Sequence, residues 1–362
     1  MCGAVLGTGK SFLMNNETPA PRLPTRHNMK RRCANHDYRS RCMYMVTLVI
    51  EGRRQLLGTL TGDPMIQNGR PGCAALVPSP LGRAVVQAWK ELPPRFPDVR
   101  NISLQLMPDH LHFIIFFTAI SDVTLGSVVR IFEAECRKKY KKLVEAGDLP
   151  PVPTYILEEQ LKAQQEKRKS RYGVLFEPGF NDKILWHEGE LDAWRQYLAD
   201  NPRRRLLKER LKDLFTIRHN VKAAGFTFDA MGNEFLLDYP RRIFVQCSRR
   251  LTDENISCLL AKLEPDFCQG SVFVSAAISP GEKAVMRRAH ERGCPVVILR
   301  ENGFGKYEKP GGRAFDACAR GLMLMLSPWD YHTERLTITR EKCQMLNVMA
   351  ERISNGKLPS LQ

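Results

Sequence analysis

Two stretches of strand-forming residues meet at a Pro-Asp dipeptide, and this junction constrains the fold more than any other part of the chain. Residues 102–107 (ISLQLM) and 111–118 (LHFIIFFT) are rich in β-formers, and Pro108-Asp109 between them is a turn signal. The chain must therefore reverse tightly there, which makes the two strands antiparallel neighbours in one sheet. His110 and His112 follow the reversal directly. A strand has a period of two, so both imidazoles point to one face, where they can share a divalent cation.

The rest of the chain arranges itself around that hairpin. At 362 residues it is long enough for about two domains, and 43% hydrophobic content suits a globular protein. Residues 43–50 (MYMVTLVI) read as a strand, and residues 80–92 as an amphipathic helix behind Ser79 as cap. Residues 124–146 form a helix with Leu125, Val128, Val129, Phe132 and Leu143 towards one side and Lys138 and Lys139 on the polar side. Residues 150–171, proline-rich and then highly charged, look like a surface insertion. A helix over 188–200 is expected to stop at Asn201-Pro202. From about residue 215 the pattern changes. Apolar runs at 243–246, 272–276, 295–299 and 322–326 alternate with helical stretches such as 282–292, as in a parallel α/β sheet. The expected organisation is a disordered basic tail over 1–35, an α+β domain over 36–215 and an α/β domain over 216–362. Within the tail, AVLGTGKS only loosely fits a phosphate-binding loop, since no strand precedes it and no helix pattern follows.

Charge and cysteine usage narrow the partners. The formal net charge of +16 calls for an acidic partner, of which nucleic acid is the commonest. The 11 cysteines are scattered, with no CxxC pair, which argues against a disulfide framework or a zinc knuckle. No stretch approaches the roughly 20 apolar residues of a membrane span, and the first residues lack a secretory pattern. A cytoplasmic protein with no membrane partner is expected.

The histidines gain meaning from residues much further along. Tyr197 and Asn201 are four apart on the helix expected over 188–200, hence on one face. A cation shared by His110, His112 and Asn201 would keep open positions for phosphoryl oxygens and could orient a phosphate for in-line attack. A phenol is unionised at neutral pH and needs such help to act as a nucleophile. Arg203, Arg204, Arg205 and Lys208 follow at once, and basic residues beside such a site would grip phosphates, as could Lys138 and Lys139.

The segments LMPDHLHFII, Pro178-Gly179-Phe180-Asn181-Asp182 and Gln196-Tyr197-Leu198-Ala199-Asp200-Asn201-Pro202 resemble the motifs of REP-associated tyrosine transposases, single-tyrosine members of the HUH enzymes. The resemblance spans about residues 36–212. It implies a ferredoxin-like catalytic domain with an antiparallel sheet, in which His110 and His112 are metal ligands and Asn201 a third. Tyr197 would be the nucleophile, forming a 5′-phosphotyrosine link to single-stranded DNA, with hairpin structure in the target and Mg2+ or Mn2+ as cofactor. The chain departs from the motifs at Phe176-Glu177, where tryptophan-glutamine is usual, and at Gln196, where a basic residue is usual.

The C-terminal part resembles, more weakly, the Rossmann-like domain of DNA-processing A proteins. The segment from Val272 through Ser279-Pro280-Gly281 is a strand followed by a small-residue turn and a helix, the place where backbone N–H groups can hold an anion. Gly303 and Gly305 lie in a second glycine-rich loop beyond the next strand. A nucleotide, a DNA phosphate or no ligand at all fits these loops. Two other functions remain open: a domesticated DNA-binding protein that no longer cleaves, and a nucleotide-sensing regulator anchored on DNA. The oligomeric state stays open too.

Overall fold

The structure is a computed structural model, and it describes residues 33, 35–149, 174–334 and 336–357. The expected tail, apart from residues 33 and 35, lies outside the described residues, as do AVLGTGKS and the expected insertion at 150–171. The chain divides into two compact units, Met1–Pro202 and Arg203–Gln362.

The first unit is built on strands β1 (Met43–Val49), β4 (Val99–Met107), β5 (His110–Phe117) and β6 (Asn181–Leu185), in the sheet order β4-β5-β1-β6. All neighbours are antiparallel. A separate hairpin, β2 (Gly58–Thr61) and β3 (Ala75–Pro78), precedes helix α1 (Pro80–Lys90). Helix α2 (Leu125–Glu145) links β5 to the segment leading to β6, and helix α3 (Glu190–Arg210) follows β6. Leaving the β2–β3 hairpin aside, β1-α1-β4-β5-α2-β6 is the ferredoxin-like order of elements. Both expected helix starts are capped by side chains, Ser79 as expected and Thr124 in the same way. Ser79 Oγ accepts from Gly82 N at 2.9 Å, and Thr124 Oγ1 from Ser127 N at 3.2 Å.

The strand period sorts residues onto two faces. Leu111, Phe113, Ile115 and Phe117 of β5, with Tyr44, Val46 and Leu48 of β1, are fully buried against Leu81 and Val85 of α1 and Val128, Val129 and Phe132 of α2. Each such side chain contributes roughly 1.5–3 kcal/mol. On the opposite face Met45, Ile114 and Leu185 meet Leu191, Trp194 and Leu198 of α3.

The expected break at Asn201-Pro202 does not occur, because α3 runs through Pro202 to Arg210. Proline removes one backbone hydrogen bond and crowds the carbonyl four residues earlier. Packing on either side of it outweighs that local cost. Leu198 is buried in the core of the first unit, and Leu207 in that of the second. Residues 211–217 also pack into the second core, through Leu211, Leu214, Phe215 and Ile217. The division of the chain therefore falls at residue 202, before the composition change at 215–225.

The second unit holds a seven-stranded sheet in the order β13-β9-β10-β11-β12-β8-β7. Strands β9 (Arg242–Phe244), β10 (Val272–Ser275), β11 (Val296–Leu299), β12 (Met323–Ser327) and β13 (Gly356–Lys357) are parallel. Strands β7 (Arg218–Ala223) and β8 (Phe226–Gly232) add an antiparallel edge that the sequence reading did not contain. Their two-residue turn has positive φ at both Ala224 (51°) and Gly225 (84°), a conformation that usually announces itself with Asn-Gly or Asp-Gly. Helices α4 (Asp253–Lys262), α5 (Glu264–Cys268), α6 (Pro280–Arg292) and α7 (Gly312–Ala319) pack on one face, and α8 (Arg340–Ile353) covers the other. The architecture is thus mixed: an antiparallel sheet with helices, then a separate, mostly parallel sheet. Among the described residues no helix is long and apolar enough to cross a membrane.

Candidate functional site

The reversal that carries the histidines is held from below. Met107 pairs with His110, so Pro108-Asp109 is a two-residue turn. Its two carbonyls accept from Leu57 N (3.0 Å) and Ile50 N (2.9 Å). Asp109 is 4% exposed, and its carboxylate lies 2.7 Å from His110 Nδ1 and 3.4 Å from the Arg53 guanidinium. An ionised carboxylate only accepts, so the Nδ1–H of His110 donates to Asp109 and Nε2 is turned away from it. His112 stands opposite Thr47 in the neighbouring strand, with its Nδ1 2.8 Å from Thr47 Oγ1. The two rings lie 4.9 Å apart, edge to face. Burial, and then the neighbouring His110, push the His112 pKa down to about 3. The ring is therefore held neutral, the form in which an imidazole binds metal. An oxygen on Nδ1 that fixes the tautomer and aims Nε2 is the usual outer shell of a ligating histidine.

Helix α3 lies on that same face of the sheet. Leu191, Trp194 and Leu198 recur at the helical spacing that presents one stripe, and all three pack on the sheet. Asn201, three residues beyond Leu198, extends the stripe. Tyr197, four before Asn201, is 44% exposed with its ring 5.3 Å from Trp194 and perpendicular to it. Lys183 of β6 lies over the Trp194 ring at 5.0 Å. Asn68, from the β2–β3 connection, donates to Asp200 at 2.9 Å. His110, His112, Tyr197 and Asn201 thus belong to one sheet face and the helix laid on it. Among the described residues no three His, Cys, Asp or Glu side chains converge as a metal-ligand set.

The basic residues picked out from the sequence are placed differently. Lys138 and Lys139 sit on α2, which packs on the face opposite the histidines, and they pair with Glu135 (2.9 Å) and Glu91 (3.4 Å). In the second unit Arg203 pairs with Asp316 at 2.8 Å, and Arg204 lies over the Phe315 ring at 3.9 Å and donates to Pro310 O. Arg205 is ion-paired with Glu209 one turn on. Lys208 is half-buried, and burial followed by the Arg204 and Arg205 charges lowers its pKa. The two lysines of α2 and the three arginines have structural partners, which a run of like charge in a sequence does not reveal.

The glycine-rich turns of the second unit also have internal explanations. Ser279 caps α6, and Glu282 returns the bond to form a capping box. The Glu282 carboxylate is 3% exposed and accepts from the backbone N–H groups of Ile278 (2.7 Å), Ser279 (3.2 Å) and Cys247 (3.1 Å). The Ile278 and Ser279 amides of this turn therefore already hold an anion from the chain itself. A Cβ on Gly281 would lie 2.9 Å from that of Cys247, and one on Gly303 would lie 2.3 Å from Tyr331 N. Gly305 faces the Tyr331 ring in the same way, at 3.3 Å. Close packing accounts for Gly281 and Gly303.

Sequence reasoning missed Thr47 and the role of Asp109. Asp109 was visible only as a turn residue, and Thr47 only as one residue of a strand. Asp182, within the quoted motif, accepts from Tyr38 Oη at 2.9 Å and so ties the segment before β1 to β6.

No family model matches the chain. A protein of Haemophilus influenzae, described as uncharacterized, is 25% identical over 187 residues, covering 46% of this chain and 93% of its own length. Among solved structures the chain is similar to DNA processing protein A from Helicobacter pylori, reported for its single-stranded DNA binding mode. That match has 16% identity and a TM-score of 0.30 and covers 40% of this chain and 67% of the other. DNA processing protein A from Streptococcus pneumoniae matches at 16% identity and a TM-score of 0.31, over 44% of this chain and 60% of that one. A REP-associated tyrosine transposase bound to a REP hairpin matches at 12% identity and a TM-score of 0.26, over 49% of this chain and 72% of that one.

Proposed function

We propose that the first unit nicks and joins single-stranded DNA through Tyr197. The observation that carries this reading is the pair of imidazoles, each with Nδ1 held by an oxygen, on the sheet face against which α3, the helix that contains Tyr197 and Asn201, packs through Leu191, Trp194 and Leu198. The motif resemblance around His110, His112 and Tyr197 and the net charge of +16 support it. Tyr197 Oη attacks the phosphorus of a phosphodiester while its proton passes to solvent. The new O–P bond leaves a 5′-phosphotyrosine, the P–O3′ bond breaks, and the departing 3′-oxygen takes up a proton. A 3′-hydroxyl of another strand reverses the step, so joining needs no nucleotide triphosphate. His110, His112 and Asn201 would hold Mg2+ or Mn2+, which when bound supplies Lewis-acid stabilisation of the phosphoryl oxygens. Asp109 and Thr47 hold the imidazoles in place for this.

The test is covalent capture. Wild-type protein incubated with labelled single-stranded hairpin DNA and Mn2+ should give an adduct that survives a denaturing gel. Tyr197→Phe should abolish the adduct and leave DNA binding largely intact, and chelator or His110→Ala should abolish it as well. An adduct formed by Tyr197→Phe would rule out this nucleophile.

A further inference from the structure

The second unit contains a cleft of about 800 Å³ at the carboxyl ends of β10 and β11. Its position follows from the topology. The connections after β10 and β11 lead to α6 and α7 on one face of the sheet, whereas the connection after β12 leads to α8 on the other. Neighbouring loops therefore diverge beyond β11 and β12, and a crevice opens there. In open α/β sheets this is where ligands bind. The cleft is lined by Ala277 just after β10, by Ile298, Leu299 and Glu301 at the end of β11, and by Ile338 on the approach to α8.

Its chemistry is specific. At the helix N-terminus on its edge the Ile278 and Ser279 amides are held by the Glu282 carboxylate, and the Glu282 amide by Ser279 Oγ. The positive charge comes instead from two exposed side chains, Arg249 and Lys283. Among the described residues neither has a carboxylate partner, and the Arg249 guanidinium meets the Cys343 thiol at 3.2 Å. Arg300, also on the lining, is paired with Glu308 at 2.7 Å. Besides the cations and Glu301, the lining is largely aliphatic, through Ala277, Ile298 and Ile338. A ligand that combines an anion, a flat apolar body and hydroxyl donors would satisfy all three parts. An ionised carboxylate such as Glu301 accepts hydroxyl hydrogen bonds, as from a sugar diol, and repels a second phosphate.

We infer that this cleft binds a ribonucleoside 5′-phosphate, with the phosphate on Arg249 and Lys283, the base on the aliphatic surface and the ribose hydroxyls on Glu301. The same phosphate chemistry could be presented by the 5′ end of a DNA strand. The diol separates the two sources, because DNA lacks the 2′-hydroxyl.

The experiment uses the full chain and the four ribonucleoside 5′-monophosphates, followed by thermal unfolding and titration calorimetry. At least one should raise the melting temperature, since a ligand of the folded state must do so. Inorganic phosphate at the same concentration should not. Arg249→Ala combined with Lys283→Ala should weaken binding by about tenfold or more. Glu301→Gln should reduce the preference for the ribonucleotide over its 2′-deoxy form. No shift with any of the four, an equal shift with phosphate alone, or unchanged affinity in the double variant would overturn the assignment. Tighter binding of a 5′-phosphorylated oligodeoxynucleotide, lost in the same variants, would overturn it in favour of a DNA end.

Discussion

Thr47 sits one strand away from His112 and 65 residues earlier in sequence, yet its hydroxyl is the partner that orients that ring. Replacement by valine keeps the shape and removes the oxygen. On the proposed reading Thr47→Val should weaken Mn2+ binding by about 10–100-fold, the usual effect of losing a partner behind a ligating histidine. Calorimetric titration of Mn2+ into Tyr197→Phe protein with and without Thr47→Val measures this free of turnover, and equal affinities would refute the orienting role. The histidine pair itself was legible in the sequence, because a strand's alternation needs only local information. Thr47 was not, because sheet register joins residues remote in sequence. The same limit applied to the lysines: Lys138 and Lys139 read as available charge until α2 was placed on the opposite face and paired with Glu135 and Glu91.

At the scale of the element, the proposed reading makes α3 decide whether the tyrosine and the histidines work together. Its contact with the sheet depends on Leu198, 1% exposed between Met45, Ile114 and Leu185. Leu198→Ala should cost about 2–5 kcal/mol, the range for truncating a buried leucine. Because the cavity opens under the helix carrying Tyr197, adduct yield should fall at temperatures where the protein is still folded. Denaturant unfolding together with the adduct assay checks both, and full yield in a destabilised variant would show that seating of α3 is unimportant. The start of α1 was readable from its cap at Ser79, because the capping bond is local, and Thr124 and Ser279 cap α2 and α6 in the same way. The end of α3 was not readable. Pro202 carries a local cost, but burial of Leu198 and Leu207 outweighs it. The β7–β8 hairpin escaped notice because Ala224 stands where the turn would normally show Asn or Asp.

At the scale of the molecule, the net charge of +16 makes binding to a polyanion a matter of ionic strength. For single-stranded DNA, log K should fall linearly with log salt, with a slope of about −0.7 for each phosphate contacted. Fluorescence anisotropy with Tyr197→Phe over a range of salt measures the slope, and a slope near zero would remove phosphate contacts from the account. By itself the sequence determined the reversal at Pro108-Asp109, the shared face of His110 and His112, the helix starts and the change from antiparallel to parallel strands. Each is written in short-range periodicity, caps or turns. Only the tertiary structure decided that α3 covers the histidine face, that Thr47 and Asp109 stand behind the imidazoles, and that Glu282 fills the anion position at Ser279. Those pairings join residues distant in the chain, and burial and hydrogen-bond satisfaction across the whole fold select them.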